Sequence, residues 1–149
     1  MQVQHTLLLV TTTVVLVGAR DVAFTDCDSR IPVKSVSVIP CHVTPCELTR
    51  GDATTFRIQF QADETTGSLS RAEVYAVVGG VAVPFALDVP EICGNVHPDC
   101  PLQAGLWYTY KKYVYIPSTH SQIDFSFRWI LKNSFRQPVV CVEIPVRIV

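Results

Sequence analysis

The sequence predicts an all-β protein, an antiparallel β-sandwich of about seven to eight strands. Apolar and polar residues alternate with a period of two along several segments, and no long helical stripe competes with that pattern. Short turn signals separate these segments, and six cysteines lie beyond an N-terminal apolar run. A chain of 149 residues therefore has room for a single domain with a sizeable core.

The N-terminal segment has the features of a secretory signal peptide over 1–19. The 11-residue run 7–17 is apolar apart from three threonines, and it is too short to span a membrane. Small residues at 17–19 suit a signal peptidase, so we expect cleavage near Ala19 and a mature domain over 20–149. The alternative is a buried N-terminal strand, since residues 1–6 contain no lysine or arginine.

Seven later segments are predicted strands. Phe56, Ile58 and Phe60 lie on one face of their segment, with polar residues between them, as a strand with one buried face requires. The other segments show the same alternation or are rich in valine, tyrosine and isoleucine. The predicted strands cover 35–41, 56–60, 71–78, 81–87, 106–116, 123–131 and 140–148.

Turn residues divide these strands. Short turns are predicted at 50–52, 66–68 and 79–80, and the glycine pair at 79–80 suits a two-residue hairpin that needs positive φ. Pro84 cannot donate a hydrogen bond to a sheet, so the strand 81–87 is expected at a sheet edge. The longest predicted loop covers 90–101.

Six cysteines in an exported chain indicate three disulfides. The 15 pairings that six cysteines allow remain open, but the spacing suggests Cys41–Cys46, Cys93–Cys100 and Cys27–Cys141. This scheme differs from the Cys…Trp…Cys set of true immunoglobulin domains. We expect no metal site, because the tight paired spacing of zinc ligands is absent.

Charge and motifs argue against several functions. The formal net charge is −1 without a clustered basic excess, so no nucleic-acid partner is expected. Lys111 and Lys112 form the only basic doublet, which we interpret as a solvated strand edge rather than an anion site. Neither a Gly-x-Ser-x-Gly turn, a His-Glu-x-x-His pair nor a phosphate-binding glycine loop occurs, and we expect no enzymatic activity and no cofactor.

Short motifs around the cysteines are characteristic of a known family. They include Phe-Thr-Asp-Cys at 24–27, Val-Ser-Val-Ile-Pro-Cys at 36–41, Gly-Gly-Val-Ala-Val-Pro-Phe at 79–85 and Cys-Val-Glu-Ile-Pro at 141–145. With these motifs the chain resembles the ML lipid-recognition domain family, and within it the Niemann–Pick type C2-like sterol carriers, over 24–148.

The resemblance implies an immunoglobulin-like sandwich with the same three disulfide pairs and an apolar cavity between the sheets. The family's sterol-contacting phenylalanine falls on Phe85, a valine of the following hairpin falls on Ile116, and a tyrosine near the pocket entrance falls on His120. Alternation and resemblance together predict a lipid pocket lined by Phe56, Ile58, Phe60, Val83, Phe85, Ile116, His120, Phe125, Phe127 and Trp129.

Two of these positions have a second interpretation. Pattern alone favours Phe85 as an ordinary core residue, and only the resemblance places it in a lipid pocket. A titratable ring at His120 would suit a carboxylate head group better than a sterol hydroxyl, and the alternative is an exposed loop histidine.

We therefore expect a secreted, non-enzymatic, monomeric carrier of one sterol or fatty acid, with transient membrane or receptor contact when the ligand is handed over. The chain has no Asn-x-Ser/Thr acceptor, which favours an extracellular location over the lysosomal lumen. The alternative functions are a lipid-presenting co-receptor in innate immunity and a chemosensory carrier of semiochemicals.

Overall fold

The described part of the chain folds into eleven β-strands. The computed structural model describes residues 20–66 and 69–149, so the predicted signal peptide lies outside the described residues. In chain order the strands are β1 (Arg20–Asp21), β2 (Thr25–Asp26), β3 (Val33–Ile39), β4 (Cys46–Leu48), β5 (Ala53–Gln61), β6 (Leu69–Val78), β7 (Val81–Phe85), β8 (Val96–His97), β9 (Trp107–Tyr115), β10 (Asp124–Asn133) and β11 (Pro138–Ile148). Seven of them are five residues or longer, and these correspond to the seven predicted strands.

The strands form the two sheets of a sandwich. One sheet has the order β1-β3-β5-β9-β8, and the other has the order β2-β11-β10-β6-β7 with β4 beside β11. All strand pairs are antiparallel except β4 with β11, which is parallel. The predicted antiparallel sandwich is confirmed. The described residues include no helix of the length and apolar content that a membrane crossing requires.

Alternation of apolar and polar residues decides which face of each sheet is buried. Phe56, Ile58 and Phe60 of β5 are fully buried, and the residues between them are partly exposed. Phe127 and Trp129 of β10 follow the same rule in the other sheet. Because successive side chains of a strand point to opposite faces, these side chains meet between the sheets and form the core.

β7 is the edge strand of its sheet, as Pro84 predicted. The β6–β7 hairpin turns through Gly79 and Gly80, whose φ angles of 56° and 81° require a residue that tolerates positive φ. β7 ends at Phe85, so the prediction that the strand continues to 87 is wrong. The chain leaves β6 after Phe85 and returns to it where the Ala72 amide donates to the Pro90 carbonyl at 2.8 Å.

The three suggested disulfides are confirmed. Their Cα–Cα distances of 4.9, 5.0 and 5.7 Å for Cys27–Cys141, Cys41–Cys46 and Cys93–Cys100 lie in the usual range. Cys41–Cys46 connects the end of β3 in one sheet to β4 in the other. This disulfide therefore ties the two sheets together along one side of the sandwich.

Candidate functional site

A cleft of about 290 Å³ lies between the end of β7 and the C-terminal part of β9. We call it the mouth cleft, and it is lined by Phe85, Ala86, Leu87, Asp88, Tyr113, Val114, Tyr115, Pro117 and His120. One wall is the segment 86–89 that leaves the sheet after β7, and the other is β9 with the turn that follows it. The cleft therefore lies where an edge of one sheet meets an edge of the other.

Phe85 connects the mouth cleft to the interior. Its half-buried ring meets the ring of Phe127 edge-to-face, with 5.1 Å between the ring centroids. Phe127 is fully buried and also contacts Phe125 at 4.8 Å and Phe56 at 5.5 Å. A continuous path of aromatic contacts therefore runs from the surface cleft into the core.

The aromatic path crosses from one sheet to the other. Phe56 of β5 lies 5.1 Å from Trp129 of β10, and Tyr110 of β9 lies 6.0 Å from the same indole. Edge-to-face and offset ring pairs at such distances are attractive beyond the area they bury. In this structure the space predicted as a cavity is filled by these rings, so a ligand enters it only if the rings and sheets move apart.

Most residues predicted to line the pocket lie in this interior. Phe125 is half-buried beside Phe127, and Phe85 lies at the mouth. The fully buried members are Phe56, Ile58, Phe60, Ile116, Phe127 and Trp129. Phe60 stacks on Tyr108 with centroids 6.1 Å apart, toward the opposite end of β5 from the mouth cleft. Their contact with lipid stays a prediction.

The predicted interior position of Val83 is wrong. Val83 is 50% exposed, although it pairs with Ala76 and so shares the inner face of the sheet with Phe85. The neighbouring Val81 is 63% exposed. The opposing sheet does not cover the tip of the β6–β7 hairpin, so the inner face of this tip is exposed to solvent. Alternation predicted the correct face but not the extent of the opposing sheet.

His120 lies at the mouth cleft, in the exposed loop between β9 and β10. Its amide donates to the Pro117 carbonyl at 3.0 Å, and its carbonyl accepts from the Arg50 guanidinium at 3.3 Å. The backbone is therefore fixed while the imidazole remains accessible. Within residues 20–66 and 69–149, no cluster of three or more His, Cys, Asp or Glu side chains could hold a metal ion.

Two buried polar atoms in the aromatic interior have no hydrogen-bond partner within the described part of the chain. They are Tyr110 Oη and Trp129 Nε1. Burial raises the pKa of Tyr110, because the phenolate would be formed away from water. The neighbouring Trp129 indole lowers this pKa in part, but no well-formed hydrogen bond joins the two groups. Because a poorly paired buried polar atom costs free energy, both groups reduce the stability of the packed interior.

Lys112 is a buried residue next to the mouth cleft that the sequence interpretation placed in solvent. It is 7% exposed, and its Nζ donates to the Val89 carbonyl at 2.8 Å. The interpretation of the basic doublet as a solvated strand edge is therefore wrong for Lys112, whereas Lys111 lies on the outer face with its Nζ 5.1 Å from the Tyr113 ring centroid. Alternation with the buried Tyr110 and Val114 was the signal that places Lys112 inside.

Comparison with known proteins identifies the class to which this fold and interior belong. The sequence profile of the ML domain matches residues 21–148. Mouse "NPC intracellular cholesterol transporter 2" is 31% identical over 131 residues, which are 87% of each chain. The "Ecdysteroid-regulated 16 kDa protein" of Manduca sexta is 31% identical over 145 residues, covering 95% of this chain and 99% of that protein.

Solved structures share the fold. A Niemann-Pick type C2 protein from the Japanese carpenter ant superposes with a TM-score of 0.76 at 23% identity, covering 86% of this chain and all of that one. Chicken MD-1 complexed with lipid IVa gives a TM-score of 0.52 at 15% identity, covering 82% and 85% of the two chains. The protein is thus an ML-type β-sandwich. The chain belongs to the ML domain family, with the Niemann–Pick type C2 proteins among its relatives.

Proposed function

We propose that this protein is a non-enzymatic carrier that holds one small lipid, a sterol or a fatty acid, between its two sheets. The observation that carries the proposal is the path from the mouth cleft through Phe85 and Phe127 into an aromatic interior shared by both sheets. The names of the relatives support it, since one is called a cholesterol transporter and a structural neighbour holds lipid IVa.

The proposed ligand enters by separation of the sheets at the mouth cleft. Ligand pockets usually occupy about 300–1,000 Å³, so the cleft of about 290 Å³ would hold only part of a lipid. Burial of an alkyl chain contributes about 0.8 kcal/mol per CH₂ group, which offsets the cost of displacing the rings. Among the described strands, β7 pairs with β6 alone, so outward movement of β7 breaks no hydrogen bonds to a second strand.

The exposed hairpin tip offers a contact surface for handover of the ligand. Val78, Val81 and Val83 are exposed on the hairpin that leads into Phe85. Apolar side chains exposed together favour contact with a membrane or another protein. We propose that the monomer touches a membrane or receptor transiently with this tip while the lipid moves through the mouth cleft.

The three disulfides support a location in the secretory pathway or outside the cell, because such bonds persist in oxidising compartments. We propose that the signal peptide over 1–19 directs secretion and that the domain over 20–149 acts outside the cell, with the lysosomal lumen as the alternative.

The test is to purify the protein under native conditions and extract it with organic solvent. Mass spectrometry is expected to find close to one lipid molecule per protein. The stripped protein is expected to bind fluorescent sterol or fatty-acid probes with saturable stoichiometry. A protein that is empty when purified and also binds neither probe would contradict the proposed function.

A further inference from the structure

Lys112 is a buried lysine inside the sandwich. β9 presents it on the inner face, where it pairs across the ladder with the fully buried Phe56. Among the described residues, the polar contact of its side chain is the hydrogen bond that Nζ donates to the Val89 carbonyl. A lysine so deeply buried is uncommon unless an anion accompanies it.

No carboxylate of the described residues forms an ion pair with Lys112. The ion pairs there are Arg128–Glu143, Lys132–Glu73 and Arg147–Asp124, and all of them lie in the other sheet. A carbonyl oxygen balances only part of the cost of removing an ammonium group from water, because it carries no net charge. Lys112 therefore has an unused capacity to bind an anion.

The position of Lys112 links it to the mouth cleft. Val89, which accepts its hydrogen bond, directly follows Asp88 of one cleft wall, and Tyr113 directly follows Lys112 in the other. The bond from Lys112 to Val89 thus joins two residues that each directly adjoin a wall of the cleft, although neither lines the cleft itself. An anionic head group that reached this depth would replace the Val89 carbonyl as the acceptor.

We infer that Lys112 binds the carboxylate of a fatty acid and so makes the carrier selective for fatty acids over uncharged lipids. This inference rests on the proposed function and specifies its ligand. The acyl chain extends from Lys112 past Phe85 toward Phe127, where the aromatic rings give way to it. The released Val89 carbonyl lies on an exposed residue and can bind water instead.

The experiment compares three probes that share one alkyl chain: oleic acid, oleyl alcohol and methyl oleate. Dissociation constants are measured by displacement of a fluorescent probe from the stripped full-length mature protein. Charge-assisted hydrogen bonds are roughly twice as strong as neutral ones. The wild type is expected to bind oleic acid about tenfold more tightly than the two uncharged probes.

Lys112→Met removes the charge while keeping an unbranched apolar side chain of similar length. Its affinity for oleic acid is expected to fall about tenfold, with affinities for oleyl alcohol and methyl oleate within twofold of wild type. Lys112→Arg is expected to retain the preference for the acid. Lys111→Met, on the outer face of the same strand, is the matched control and is expected to bind all three probes as wild type does.

The inference is overturned if Lys112→Met binds oleic acid like wild type, or if the variant weakens all three probes equally. Wild-type protein that binds oleyl alcohol or a fluorescent sterol but not oleic acid would overturn the inference and leave the proposed function intact. Wild-type protein that binds none of the lipids would overturn both.

Discussion

The two long sides of this sandwich are held together in different ways. On one side, the Cys41–Cys46 disulfide joins the chain just after β3 of one sheet to β4 of the other, and we call this the clamped edge. On the other side, β7 faces the part of β9 next to the mouth cleft, and we call this the open edge. The described contacts across the open edge include the hydrogen bond from Lys112 to Val89, and none of the three disulfides crosses it.

The Cys93–Cys100 disulfide lies beside one end of the open edge. Cys93–Cys100 closes the loop that carries β8, which pairs with β9 at Thr109 and Tyr110. Beyond these pairs, β9 continues toward the mouth cleft with β5 as its strand neighbour. Under the proposed function, this difference predicts that the sheets separate at the open edge near the mouth cleft, with the clamped edge as the hinge.

The largest effect is expected from removing the ring of Phe127, which contacts aromatic rings of both sheets. Phe127→Ala should lower the free energy of unfolding by about 3–5 kcal/mol, because a buried phenylalanine with several ring contacts leaves a cavity. Denaturant unfolding monitored by tryptophan fluorescence measures it. Phe135→Ala is the control, since Phe135 is 80% exposed. Equal losses for the two variants would show that the aromatic path does not hold the sheets together.

The next effect concerns the clamped edge. Replacing Cys41 and Cys46 together by serine should lower the free energy of unfolding by about 2 kcal/mol, as the loop-entropy relation gives for a short loop. Lipid affinity should change little, because the open edge is untouched. Thermal unfolding and probe titration of the same sample measure both quantities. If the double variant stayed folded but lost most of its lipid binding, lipid entry at the open edge would be contradicted.

A change at the open edge should separate stability from binding. Phe85→Asp should cost only about 1–2 kcal/mol of stability, since the ring is half-buried, but should abolish lipid binding. Val83→Asp, two residues earlier on the same face of β7, is exposed and should bind lipid normally. Disulfides should remain intact in both variants, as thiol titration checks. Unchanged affinity in Phe85→Asp would remove Phe85 from the site.

The smallest effect is expected inside the aromatic path. Tyr110→Phe removes a buried hydroxyl that has no hydrogen-bond partner among the described residues, and should raise the free energy of unfolding by up to about 1 kcal/mol. Denaturant titration measures this gain. A loss of stability would show that the hydroxyl has a partner, and the interior would then be more completely packed than the account requires.

The sequence predicted what depends on local pattern. Alternation located β5, β10 and β11, because a buried face imposes a period of two on its residues. Pro84 placed β7 at an edge because proline lacks the donor that a central strand needs. The glycine pair at 79–80 located the hairpin, since both residues have positive φ.

What the sequence did not predict depends on distant parts of the chain. β4 has three residues and pairs in parallel with the C-terminal end of β11, so no local pattern marks it. The exposure of Val83 depends on where the opposing sheet ends. The burial of Lys112 follows its position in the alternation of β9, whereas its charge favours solvent. Filling of the interior by rings depends on packing between strands far apart in sequence.

The central claim is that lipid enters at the open edge, and hydrogen–deuterium exchange of the stripped protein with and without oleic acid tests it most directly. Lipid should slow exchange in β7, in the segment 86–90 and in 112–120, and should leave β3, β4 and β11 unchanged. Slower exchange confined to the clamped edge around Cys41–Cys46, with no change at 86–90 or 112–120, would contradict the account.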